Sequence, residues 1–135
     1  YKKALDLFKQ ATKQGYAVAQ NNLGSMYLLG QGVNPDYKKA LDLFKQAAKQ
    51  GYIVAQSNLG VMYRKGLGVK QDYDKAAALF EQAAKQGYPE AQYLLGISYY
   101  YGRGVVKSHK QAKLWLEKAS KNNFLKATDF LKKNF

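Results

Sequence analysis

Apolar residues return along this chain at helical spacing. Ala40, Leu43, Phe44 and Ala47 fall at i, i+3, i+4 and i+7, one face of a helix, with Lys38, Lys45 and Lys49 on the opposite side. Gly51 follows as a stop. A second segment sets Ala55, Leu59, Met62 and Tyr63 at i, i+4, i+7 and i+8, again one predicted face. Gly66-Leu67-Gly68-Val69 ends it. The glycines supply positive φ for a tight turn, and the valine is expected to tuck back onto the core. Asp72 precedes the next helix as an N-cap, and Asp36 and Ser108 hold the equivalent positions. Alternating polar and apolar runs are absent, so strands are not predicted.

This two-helix pattern is a repeat. Residues 1–11 return unchanged at 37–47, and edited copies begin at Tyr73 and His109, a constant spacing of 36. Residues 1–36 and 37–72 agree at 27 of 36 positions, and 37–72 and 73–108 at 20 of 36, which points to recent duplication. A fixed period in this range signals stacked units, none of which buries its apolar faces alone. We therefore expect repeats at 1–36, 37–72 and 73–108, with 109–135 as a C-terminal capping helix pair of one continuous array. Small residues mark the helix crossings: Ala4/Ala40/Ala76/Ala112, Ala11/Ala47/Ala83/Ala119, Ala19/Ala55/Ala91/Ala127 and Gly24/Gly60/Gly96. Leu23/Leu59/Leu95/Leu131 and Tyr27/Tyr63/Tyr99/Phe135 fill the space between. The last copy departs: Asn123 replaces a glycine, Thr128 a glutamine, and Lys132 stands in the series of Gly24, Gly60 and Gly96. A lysine there is expected to face water, as is Lys133. The first copy keeps the internal pattern on its outer face, which reads as truncation at the N-terminus.

Gly51-Tyr52-x-x-Ala55-Gln56-x-Asn58-Leu59-Gly60-x-x-Tyr63-x-x-Gly66-x-Gly68-Val69 resembles the Sel1-like repeat, a relative of the tetratricopeptide repeat with a longer turn between units. Three copies and a partial fourth cover the chain. The resemblance implies an all-α, right-handed α/α superhelix of about four helix-turn-helix units, with the first helix of each lining the concave surface. It also implies an adaptor or scaffold role in protein complexes. The style of duplication points to a bacterial source; cytoplasm, periplasm and the exterior all stay open, with a lean toward export.

Composition narrows the chemistry. The 135 residues are 47% hydrophobic, enough for one core, and no apolar run approaches the ~20 residues that span a bilayer. Cysteine is absent, which removes disulfides, thiol nucleophiles and thiolate metal sites. The one histidine, His109, sits beside the N-cap Ser108 in the series Tyr1/Tyr37/Tyr73 and reads as a packing or surface residue. No catalytic, metal or cofactor site is expected. The Gly-x-Gly turns lack the Gly-Lys-Ser/Thr and preceding strand of a phosphate loop. Asp6 and Asp42, at i+4 from Lys2 and Lys38, read as helix-surface pairs. Some cysteine-rich relatives are described as binding β-lactam-like ligands. The lack of cysteine and of Ser-x-x-Lys stands against that alternative.

The formal charge of +13 divides as +2, +5, +1 and +5 over the four segments, so it is not one block. It gathers on Lys38, Lys39, Lys45, Lys49, Arg64, Lys65 and Lys70, and on the last segment. A solvated face that keeps the array soluble is one explanation; attraction for an acidic protein or peptide is the other. Nucleic acid is a further alternative, disfavoured because most tyrosines occupy core-repeating positions instead of standing among the lysines. Positions that drift between copies locate specialisation. On the first helix these are Lys2/Lys38/Asp74/Lys110, Asp6/Asp42/Ala78/Leu114 and Lys9/Lys45/Glu81/Glu117. On the second they are Asn21/Ser57/Tyr93, Asn22/Asn58/Leu94, Leu28/Arg64/Tyr100 and Leu29/Lys65/Tyr101. The third copy thus gains three tyrosines, expected near Trp115, and aromatic residues with arginine are common interface anchors. The candidate partner-binding residues are Lys38, Asp42, Lys45, Lys49, Arg64, Lys65, Tyr93, Tyr100, Tyr101 and Arg103. Tyr100 or Tyr101 is expected to face solvent together with Arg103.

Overall fold

The computed structural model describes residues 3, 4, 6 and 17–135. Among them are seven longer helices and no strand: α1 (Ala17–Leu29), α2 (Tyr37–Lys49), α3 (Ile53–Lys65), α4 (Tyr73–Lys85), α5 (Pro89–Tyr101), α6 (His109–Lys121) and α7 (Leu125–Asn134). The expectations for Lys2, Lys9, Ala11 and the remainder of the first helix lie outside the described residues. None of the helices described is long and apolar enough to cross a membrane.

Local chemistry accounts for the helix limits. Asp36, Asp72 and Ser108 take extended backbone, and their side chains accept from the N–H of Lys39 (3.1 Å), Lys75 (3.0 Å) and Gln111 (3.1 Å). Each satisfies a donor that the first turn leaves unpaired. At the other end Gly66 and Gly102 adopt the left-handed conformation, φ 69° and 71°, and their N–H groups bond the carbonyls of Met62 and Ser98. Asn123 takes φ 65° where Gly51 and Gly87 take 86° and 90°. Asparagine is among the few side chains that tolerate this region, so the loss of the glycine does not break the turn.

The chain divides into two compact units, Tyr1–Gln71 and Asp72–Phe135. In the first, α2 packs between α1 and α3. A Cβ on Gly24 would come 2.8 Å from the ring of the fully buried Phe44, so α1 and α2 meet nearly backbone to side chain. In the second, α4, α5, α6 and α7 pack in sequence, each on the next. Gly96 of α5 repeats the close approach, 2.7 Å from Cγ of buried Leu116. Lys132 and Lys133 of α7 are exposed, as expected, and that helix buries Ala127 while leaving Leu125 73% exposed.

The four residues expected on one face of α3, Ala55, Leu59, Met62 and Tyr63, are all buried, and the helix buries more than that face. α1, α3 and α5 each bury seven of their thirteen residues, glutamines among them. Such a helix has packed neighbours on more than one side, and its buried polar groups must find partners. Gln20 of α1 donates to Gln46 Oε1 (3.0 Å) and accepts from Gln50 Nε2. Asn58 of α3 donates to Asn21 of α1 (3.0 Å), and Gln92 of α5 donates to the Ala84 carbonyl (3.2 Å) and accepts from Asn122 (3.4 Å). These bonds tie helices that are distant in sequence.

Candidate partner-binding surfaces

Buried Ala40, Leu41, Leu43, Phe44 and Ala47 set the inner side of α2. Lys38, Asp42, Lys45 and Lys49 follow one another at helical spacing on the opposite side, and all four are exposed. They form a continuous outward stripe with three positive charges and one negative. The expected Lys38–Asp42 pair does not close. An ion pair does close at Glu81–Lys85 of α4, 2.9 Å, where the acid precedes the base by one turn. That order suits the helix dipole, whereas lysine before aspartate does not. Glu81 raises the Lys85 pKa above its ordinary 10.5, first by the hydrogen bond and then by charge. α4 therefore lacks the basic stripe: Asp74, Ala78 and Glu81 occupy the positions of Lys38, Asp42 and Lys45.

At the end of α3, Lys65 is exposed and Arg64 half-buried. Arg64 Nε is a buried donor without a partner among the described residues, while the Arg64 carbonyl accepts from Gln71 Nε2 at 2.7 Å.

The aromatic residues of the second unit separate into different environments. Tyr93 is half-buried and packs on Phe124, ring centroids 5.3 Å apart. Its counterparts Asn21 and Ser57 are buried, so this drifting position belongs to the packing and not to an open surface. Tyr100 is half-buried in a ring cluster. It stacks on His109 at 4.4 Å with planes 3° apart, and meets Phe130 and Phe135 edge-on at 5.0 and 5.7 Å. Tyr101, next in sequence, is 49% exposed and touches Tyr100 edge-on at 5.0 Å. The guanidinium of half-buried Arg103 lies 4.6 Å from the Tyr101 ring centroid and 5.8 Å from that of Tyr73.

Trp115 does not join these rings. It carries the ammonium of Lys118 at 4.5 Å instead. Buried Ala112 and Leu116 define the side of α6 that faces α5, and Trp115 is turned about 100° from Leu116. His109 lies on the Leu116 side, one residue past the cap, which is why it meets Tyr100. Its spacing to Ala112 and Leu116 (i, i+3, i+7) carried that information in the sequence. Phe130 had no such signal, because its partners come from α5. No three His, Asp or Glu side chains gather as metal ligands among the described residues.

The Sel1 repeat model matches residues 1–16, 17–52, 53–88 and 89–124. Its unit opens at α1, α3 and α5, out of phase with copies counted from Tyr1 but with the same period. A Sel1 repeat protein from Oxalobacter formigenes is 37% identical, with a TM-score of 0.83, over 96% of this chain and 97% of that one. A protective antigen of uropathogenic Escherichia coli strains, displaying an SLR fold, is 38% identical with a TM-score of 0.84 over 87% of this chain. The chain spans 25% of that antigen's length. Cysteine rich protein B of Helicobacter pylori is 27% identical with a TM-score of 0.71, over 93% of this chain and 96% of that one. No curated protein matches the chain.

Proposed function

The chain belongs to the Sel1 repeat family of all-α helical repeat solenoids, and from that premise we propose that it is an adaptor that holds an acidic protein or peptide segment. Sel1 repeat proteins are generally protein-interaction modules, and their scaffolds are typically non-enzymatic. The finer reading is that the outward side of α2 is the binding face, on the concave groove, and that the role is binding without catalysis.

The observation that carries it is the stripe of Lys38, Lys45 and Lys49. Their side chains are exposed, none is closed into an ion pair among the described residues, and helical geometry stacks them along one side of the helix. An extended or helical partner with carboxylates at matching intervals meets all three at once. Exposed charges of this kind set association rate and selectivity more than raw affinity, and salt screens them. Arg64 and Lys65 extend the basic character of the same unit, and Asp42 supplies one acceptor within the stripe.

The test is charge reversal. The variant Lys38→Glu, Lys45→Glu, Lys49→Glu should recover its partners from native lysate at several-fold lower yield than the parent, as read by quantitative mass spectrometry. Its helical circular dichroism should be unchanged, because the three side chains are exposed. Equal recovery of the same partners by both proteins would refute the α2 face.

A further inference from the structure

We infer that Arg103, held between Tyr101 and Tyr73, is a carboxylate anchor that takes an Asp or Glu side chain of an acidic peptide segment. This rests on the reading of the chain as a binder of acidic segments, and adds to it a separate place and a defined chemistry.

The two rings hold the guanidinium through cation–π contact at 4.6 and 5.8 Å. Such contact neutralises no charge and offers no acceptor to the five N–H donors of an arginine. Arg103 is in no ion pair among the described residues. Residues 102–108 hold Arg103 and Lys107 with no acid, and Lys110 follows, while Asp72 and Asp74 flank Tyr73 on the other side. Arginine's planar fork fits a carboxylate with two parallel hydrogen bonds. Because the side chain is already braced, less rotamer freedom is lost when a ligand arrives. Tyr101 and Tyr73, 49% and 37% exposed, offer ring surface beside the cation for an apolar neighbour of the acidic residue. A half-buried arginine flanked by two partly exposed tyrosines has the composition of an interface hot spot.

The fold does not demand this group. The preceding copy builds the same turn: Gly66 and Gly68 adopt φ 69° and 68°, against 71° and 76° for Gly102 and Gly104. A Cβ on Gly68 would stand 2.9 Å from the Tyr37 backbone, and one on Gly104 would overlap that of Tyr73, so each turn presses on the start of its own first helix. Yet the place of Arg103 is taken there by Leu67, and that of Tyr101 by Lys65. The glycines close the turn equally well without a cation between two rings, so the turn itself does not require the arginine.

The experiment is a titration of the full 15N-labelled chain with the blocked peptide acetyl-Glu-Leu-Glu-Leu-Glu-amide. Its glutamine counterpart serves as control. The Arg103 Nε–Hε signal should shift saturably with the glutamate peptide and stay still with the glutamine one. Arg103→Gln should weaken binding at this site about tenfold or more, and Arg103→Lys should recover only part of it, because charge without the fork is insufficient. Binding here should persist in the Lys38→Glu, Lys45→Glu, Lys49→Glu variant. If Arg103 stays still while α2 amides respond, the anchor is wrong and the α2 reading stands. If Arg103 responds while α2 does not, the reverse holds. A linear, unsaturable drift shared with Lys107 and Lys110 would mean diffuse charge and overturn the proposal. So would inorganic phosphate moving the Arg103 signal at lower concentration than the peptide.

Discussion

Gly96→Ala tests the packing that carries the second unit. The new Cβ would stand 2.7 Å from Leu116 Cγ, 3.1 Å from Leu116 Cδ2 and 3.3 Å from the Ala112 carbonyl oxygen. Carbon atoms in contact settle at about 3.5–4.0 Å, so about 1 Å must be found between α5 and α6. Leu116 is fully buried and Cγ is its branch point, so rotation about χ2 leaves Cγ in place and only a χ1 change within the packed core moves it. Overpacking of this kind costs about 1–3 kcal/mol. Removing a glycine from a helix interior returns about 0.5–1 kcal/mol. The steric term is the larger, and the net loss is about 1 kcal/mol, with an upper end of about 2.5 kcal/mol. Urea unfolding followed by circular dichroism should show the midpoint lowered by about 0.5–1 M at unchanged slope. Leu116→Ala alone should cost about 2–5 kcal/mol. The double variant should cost less than the sum by about 1 kcal/mol or more, since the new methyl enters the vacated space. A Gly96→Ala protein as stable as its parent, or a strictly additive cycle, would refute the claim that close helix approach dictates this glycine.

Three further outcomes follow from the same contacts. Asn123, at φ 65°, should tolerate glycine with no loss of melting temperature, while Asn123→Ala should lower stability by about 1 kcal/mol; equal melting of the two would contradict the left-handed turn. His109→Ala removes the ring stacked on Tyr100 and in contact with Phe135, so amide exchange in α7 should quicken by up to about tenfold while α1–α3 stay unchanged. Unaltered exchange in α7 would show that the stack does not hold that helix. Glu81→Gln should bring the Lys85 pKa back down toward 10.5, read from side-chain NMR. Because the folded value is raised, the pair's contribution is present below the ordinary lysine pKa and is lost as pH climbs through the raised one.

Much of the fold is legible in the sequence. The caps Asp36, Asp72 and Ser108 all accept from the backbone three residues on, and the Gly-x-Gly turns take the left-handed backbone expected of them. Candidate surfaces were less legible. Charge reversal between copies separates the basic α2 from α4, where Glu81 pairs with Lys85. Drift on the second helix is misleading, since Asn21 and Ser57 vary while buried. Variation marks freedom from one constraint, and a buried site changes class when its neighbours change with it.

Period, helix limits, capping and turn glycines were determined by the sequence itself, because each depends on residues within a turn or two of one another. The fate of individual rings was not. Tyr100 and Tyr101 are adjacent and identical in type, yet one is stacked among His109, Phe130 and Phe135 while the other stands half in solvent beside Arg103. One residue turns a helix by about 100°, and what lies in that direction is supplied by helices far along the chain. The +13 charge behaves in the same way. Its amount is a property of composition, but the unpaired stripe on α2, the closed pair on α4 and the ring-held Arg103 exist only once packing has chosen which side chains face each other.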